Sequence, residues 1–167
     1  MSGIIQGRAR ILPAEINTDV HCSAKYMPGK NTEYVAQHAF EQIDAGFVGR
    51  FEKGDIIVAG KNFGINSSRE QAIQVMRVLG VSAVVSPAFG RQFFRNAINN
   101  GLALMECDIS AIREGDELSI DLTAGTLKAA GRDGGCTFAP LPREIQSLLA
   151  AGGLIPFLKE HPDWKIA

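Results

Sequence analysis

Residues 56–79 read IIVAGKNFGINSSREQAIQVMRVL, and the order of patterns within them points to the fold. Ile56-Ile57-Val58-Ala59 is a short apolar run that suits a buried strand. Gly60 to Asn66 is a loop, and Arg69 to Leu79 sets Ala72, Val75, Met76 and Leu79 along one face of a helix. Gly80 then stops that helix as a C-terminal glycine does. Downstream, Ala83-Val84-Val85 reads as a strand and Gln92 to Asn100 as a helix ended near Gly101. A further strand runs from Leu102 to Met105. This β-loop-α-β-α-β order implies parallel pairing under helical cover.

Upstream, Ile4 to Leu12 alternates loosely as a first strand, and Asn17-Thr18-Asp19 reads as a turn. Thr32 to Asp44 has mixed helical spacing, with Thr32 as its cap. The last third changes character. Leu118–Leu122 and Thr126–Ala130 form a hairpin around Ala124-Gly125, and Pro142 to Ala151 is an amphipathic helix ended by Gly152-Gly153. The tail, 154–167, packs in part and frays in part. No linker divides the chain, so residues 1–167 are expected to form a single α/β domain.

The loop from Gly60 to Glu70 carries the chemistry. Gly60 and Gly64 permit a tight path and close approach to a ligand, and Asn66 tolerates a left-handed backbone. Ser67, Ser68 and Arg69 stand at a helix mouth, where unpaired N–H groups and partial positive charge favour anions. Arg grips a carboxylate through two parallel hydrogen bonds. The segment lacks the GK[ST] ending of a Walker loop and the GxGxxG of a dinucleotide fold. A plainer reading stands beside the anion site. Ser67-x-x-Glu70 also fits a capping box, which only satisfies backbone donors.

Composition narrows the partners. The 167 residues carry a formal net charge of -1, without the basic excess usual in nucleic-acid or membrane-surface binders. No apolar run approaches the ~20 residues of a membrane span, and no signal peptide is evident, so a cytoplasmic protein is expected. Cys22, Cys107 and Cys136 are odd in number and widely spaced, which argues against a disulfide framework or a self-contained metal site. His21, His38 and His161 are equally scattered.

The run GKNFGINSSREQAIQVMRVLGVSAVVSPAFGRQFFRNAINNGLAL, residues 60–104, resembles the central block of the aconitase swivel-domain family. ILPAEINTDVHCSAKYM, residues 11–27, is similar to that family's N-terminal acidic-turn segment. The likeness is strongest to the free-standing small subunits of the isopropylmalate isomerase and homoaconitase type. It implies a swivelling β/β/α domain docked on a larger subunit that holds a [4Fe–4S] cluster on three cysteines. Under that reading this chain ligates no metal. The implied reaction is dehydration and rehydration of a hydroxy-di- or tricarboxylic acid, a hydro-lyase step of leucine biosynthesis when the acid is isopropylmalate.

By the same resemblance Ser67 is the base and Arg69 binds substrate carboxylate. Ser68 adds a hydrogen bond, and Asp19 joins the catalytic network. Two positions depart from the pattern: Asn66 replaces a glycine and Gln71 a histidine. The family's loop after the acidic turn reads the variable part of the substrate. Here Met27 and Pro28 suit an isopropyl group, whereas Lys30 suits an extra carboxylate or is simply a solvated lysine. Arg91 and Arg95, four apart, face a partner subunit or line solvent, and one of Phe93 and Phe94 belongs to the core. Three functions follow as alternatives: an isopropylmalate dehydratase subunit, a homoaconitate, citramalate or dimethylmalate dehydratase subunit, or a non-catalytic anion-binding module.

Overall fold

The structure is a computed structural model, and it describes residues 3–22, 24–26, 28–131 and 133–163. In chain order the elements are β1 (Ile4–Leu12), α1 (Thr18–His21), α2 (Thr32–Ala36), α3 (Phe47–Arg50), β2 (Ile56–Ala59), α4 (Gln71–Leu79) and β3 (Ala83–Ser86). They continue with α5 (Arg91–Asn99), β4 (Ala103–Glu106), β5 (Glu117–Asp121), β6 (Thr126–Ala129), β7 (Gly135–Thr137), α6 (Arg143–Ala151) and α7 (Leu154–Glu160).

The strands form one sheet in the order β4-β3-β2-β1-β5-β6-β7. β1 to β4 pair in parallel, with Ala9 opposite Ile56, Ile56 opposite Ala83 and Ala83 opposite Ala103. β5, β6 and β7 extend the other side of β1 as an antiparallel meander. Every residue of β2 and β3 is buried, as expected of parallel strands covered on both faces. Ile57, Ala59, Val84 and Leu104 turn to a core shared with Phe40, Phe63, Met76 and Phe93. Ile56, Val58, Val85 and Met105 turn to a second core with Leu118, Ile120 and Leu127.

The strand and helix expectations between residues 56 and 106 hold to within two residues. Gly80 is left-handed at φ 85°, and the Val81 N–H closes back on the Met76 carbonyl, a Schellman stop. Elsewhere the structure corrects the sequence. The helix expected over 32–44 ends at Ala36, and its cap is Asn31, whose side chain accepts from the Tyr34 N–H. The chain then leaves helical geometry so that Phe40, buried at φ 61°, can give its N–H to the His21 carbonyl. The tail from Leu154 is helical to Glu160 and anchored by buried Phe157.

A disulfide also joins Cys107 to Cys136, against the expectation from cysteine spacing; their Cα atoms lie 6.1 Å apart. Cys107 follows β4 and Cys136 lies in β7, the two edges of the sheet. The sheet curls until these edges meet, a closure that 29 residues of separation give no sign of.

Candidate active site

The loops leaving the C-terminal ends of β1, β2 and β3 converge, the edge at which open parallel sheets bind ligands. They prolong the sheet beyond its named strands. Asn17 bridges in parallel to Ile65, and Phe63 to Phe89. The Gly64 N–H donates to the Ile16 carbonyl at 2.8 Å, and the Gly90 N–H to the Phe63 carbonyl at 2.8 Å. This stacking needs two glycines. A Cβ on Gly64, at φ 77°, would lie 2.2 Å from Phe93 Cγ, and one on Gly90 would lie 2.2 Å from the Gly64 carbonyl oxygen. Asn66 takes the left-handed conformation at φ 58°, so it keeps backbone dihedrals that glycine would adopt freely. Glu15 and Asn62 are left-handed as well, and the Asn62 amide donates to Glu15 Oε1 at 2.6 Å. Strained backbone is thus concentrated in the β1 and β2 exit loops.

Three of the expected site residues meet here. Ser67 Oγ donates to Asp19 Oδ1 at 2.6 Å, a short bond of the kind a carboxylate forms with a hydroxyl. Ser67 Oγ also accepts the Arg69 N–H at 3.2 Å. Arg69 Nε lies 3.6 Å from the same Asp19 oxygen. Asp19 is fixed in turn by Asn17, the cap of α1, whose Oδ1 accepts the Asp19 N–H at 3.0 Å.

Ser67 is recessed, at 5% exposure, while the Arg69 side chain is 53% exposed and that of Asp19 28%. The site is a recessed hydroxyl under an open guanidinium. The capping box does not form. α4 begins at Gln71, Ser67 Oγ bonds to the Arg69 N–H and to Asp19, and Glu70 accepts from Gln74 at 3.3 Å instead.

Ser68 presents an exposed hydroxyl, and its carbonyl accepts from Asn96 Nδ2 at 2.8 Å. Lys30 stands apart from this set: its Nζ lies over the Tyr34 ring, 4.8 Å from the centroid. Met27, expected to read an apolar substrate group, lies outside the described residues. Arg91 and Arg95 are both exposed, and Phe93, not Phe94, is the core phenylalanine.

Beyond this set, burial followed by the charge of Asp19 pushes the Cys22 thiol up, and burial pushes the His21 imidazole down. Sequence reasoning gave Asn96 no role, and it lies three residues beyond Phe93, the residue the structure packs under Gly64.

The chain's own donors do not fit a cluster. Cys22 is buried and free, Cys107 and Cys136 are bonded to each other, and no three His, Cys, Asp or Glu side chains among the described residues group as metal ligands.

Residues 4–108 match the aconitase C-terminal domain family. The chain belongs to that family. The 3-isopropylmalate dehydratase small subunit of Caldicellulosiruptor bescii is 41% identical over 158 residues, covering 93% of this chain and 95% of that one. Its counterpart from Moorella thermoacetica is 43% identical over 157 residues, covering 93% and 95%. The crystal structure of 3-isopropylmalate dehydratase from Methanocaldococcus jannaschii superposes with a TM-score of 0.87 at 34% identity, covering 95% of each chain. The family match bears out the likeness read from residues 11–27 and 60–104, and the names of these relatives bear out its small-subunit type.

Proposed function

We propose that the chain is the small subunit of a 3-isopropylmalate dehydratase, a hydro-lyase that interconverts 2- and 3-isopropylmalate in leucine biosynthesis. The observation that carries this reading is Ser67 Oγ held between Asp19 and the Arg69 amide, in a chain about 40% identical along nearly its whole length to subunits of that name. The [4Fe–4S] cluster belongs to a large partner subunit, whose docking closes the site. The complex works in the cytoplasm.

In this reading Arg69 grips one substrate carboxylate through its guanidinium, and the exposed Ser68 hydroxyl donates a further bond. Ser67 takes the proton alpha to a carboxylate. Serine is a weak base, so its own proton must first have somewhere to go and the oxygen must be stabilised once bare. Asp19 Oδ1, 2.6 Å away, receives that proton, and the Arg69 N–H points at the oxygen left behind. The C–H electron pair forms a double bond as the hydroxyl on the adjacent carbon leaves as hydroxide. A proton from the Ser67–Asp19 pair then adds to that adjacent carbon and hydroxide adds to the other, which completes the isomerisation.

The second reading is a homoaconitate, citramalate or dimethylmalate dehydratase. Lys30, whose Nζ lies over Tyr34, supports only the homoaconitate form of it, since that acid alone carries an extra carboxylate for a cation. Anaerobic reconstitution with a cluster-loaded large subunit, followed by ultraviolet assay of the unsaturated intermediate, tests both readings. Turnover of isopropylmalate supports the first, and turnover confined to another hydroxy acid supports the second. Failure to bind any large subunit favours an anion-binding module instead.

A further inference from the structure

The mouth of α4 is held from the side by a residue outside the acid–base set. Asn96, in α5, gives its Nδ2 hydrogen to the Ser68 carbonyl at 2.8 Å. That carbonyl belongs to the same peptide unit as the Arg69 N–H. A peptide unit is planar and trans, so its C=O and N–H point in opposite directions. Anchoring the oxygen therefore aims the hydrogen, and the Arg69 hydrogen is the one received by Ser67 Oγ at 3.2 Å. A donor on the carbonyl also polarises the unit and strengthens its N–H.

The helix does not supply this anchor itself. α4 begins at Gln71, and the Ile73 and Gln74 amides both return to the Glu70 carbonyl, leaving the 68–69 peptide ahead of the ladder. Asn96 is rigidly placed for the task. It lies three residues beyond Phe93, whose ring is buried against Gly64, so α5 is packed directly beneath the loop it steadies.

We propose that Asn96 is a positioning residue, acting through the Ser68–Arg69 peptide to keep an N–H on the Ser67 oxygen. The proposal rests on the reading of Ser67 as the base, and it names how that base is stabilised. Without Asn96 the peptide is free to rotate, and the oxygen loses a donor when it carries negative charge.

Asn96→Asp keeps the shape and replaces the donor with an acceptor, and Asn96→Ala removes it. In the isolated full-length chain, we expect the Arg69 amide to exchange with solvent about tenfold faster in both variants, while the amides of β2 and β3 keep their rates. In the complex with the large subunit, kcat falls about tenfold with KM within about twofold, a smaller loss than deleting an oxyanion donor outright. The rising limb of the kcat–pH profile moves upward by about one unit, because an unsupported oxygen holds its proton more tightly. Unchanged exchange at Arg69, or an unchanged kcat in the active complex, overturns the proposal. If the wild-type complex turns over no hydroxy acid, the functional reading fails and the exchange rates alone decide the Asn96 linkage. Asn96→Asp carries the test should Asn96→Ala not fold.

Discussion

Asp19 faces both Ser67 and Arg69 from one carboxylate oxygen, so its charge serves two purposes. In the proposed reaction it takes the serine proton, and in the fold it lies 3.6 Å from the Arg69 guanidinium at the mouth of the site. Asp19→Asn keeps the size and removes the proton acceptor. A positioned acid or base contributes about 10²–10⁴ in rate, so kcat in the reconstituted complex should drop within that range. Arg69→Lys keeps the charge and loses the fork. A charge-assisted hydrogen bond contributes about 1.5–3 kcal/mol, so KM should rise about tenfold or more, with a smaller change in kcat. Steady-state kinetics with isopropylmalate separate the two effects. The serines and the arginine were legible in sequence because their spacing advertises a helix mouth. Asp19 was assigned by resemblance, since 48 residues separate it from Ser67 and only the convergence of the β1 and β2 exit loops joins them.

At the scale of elements, the loop from Gly60 to Glu70 depends on what lies beneath it. Gly64→Ala meets both a left-handed backbone and the Phe93 ring. Left-handed strain costs about 1–2 kcal/mol and overpacking about 1–3 kcal/mol, so a loss of about 2–4 kcal/mol in urea unfolding is expected. Asn66→Gly removes strain without removing a site bond, and its activity should stay near wild type. The segment after the acidic turn answers to pH. Hydrogen bonds from Lys25, then His38 and Tyr26, draw the Glu41 carboxyl from 4.5 down to about 2. A carboxyl lowered on folding stabilises the fold above its unfolded value, and that support fades as pH falls toward its folded value. Thermal midpoints followed into acid should therefore fall more steeply in wild type than in Glu41→Gln, between about 4.5 and 2. Element types were readable wherever burial set the period, as in β2 and α4. The helix expected over 32–44 misled because its apolar residues serve a turn in which Phe40 is left-handed, a tertiary choice that side-chain spacing cannot express.

For the whole molecule, the parallel half of the sheet was readable and the curl was not. A strand–loop–helix–strand order constrains handedness and pairing. The meeting of the β4 and β7 edges depends on accumulated twist, which leaves no mark on any one segment. The sheet also buries an ion pair at the end opposite the site: Arg10 Nε lies 2.5 Å from Asp55 Oδ2, with both side chains under 10% exposed. Asp55→Ala leaves the guanidinium, among the described residues, with Glu114 at 3.3 Å, and should cost about 3 kcal/mol in chemical denaturation without altering substrate affinity. In the proposed reaction this fold presents one serine as a base to a substrate shared with another subunit. That role is tested most directly by turnover of 3-isopropylmalate in deuterated water by complexes holding wild-type or Ser67→Ala chains. With Ser67 as the base, Ser67→Ala lowers kcat at least about 10²-fold with KM little changed, and deuterium incorporation at the reacting carbon falls in step. Incorporation and turnover within a few-fold of wild type would contradict it.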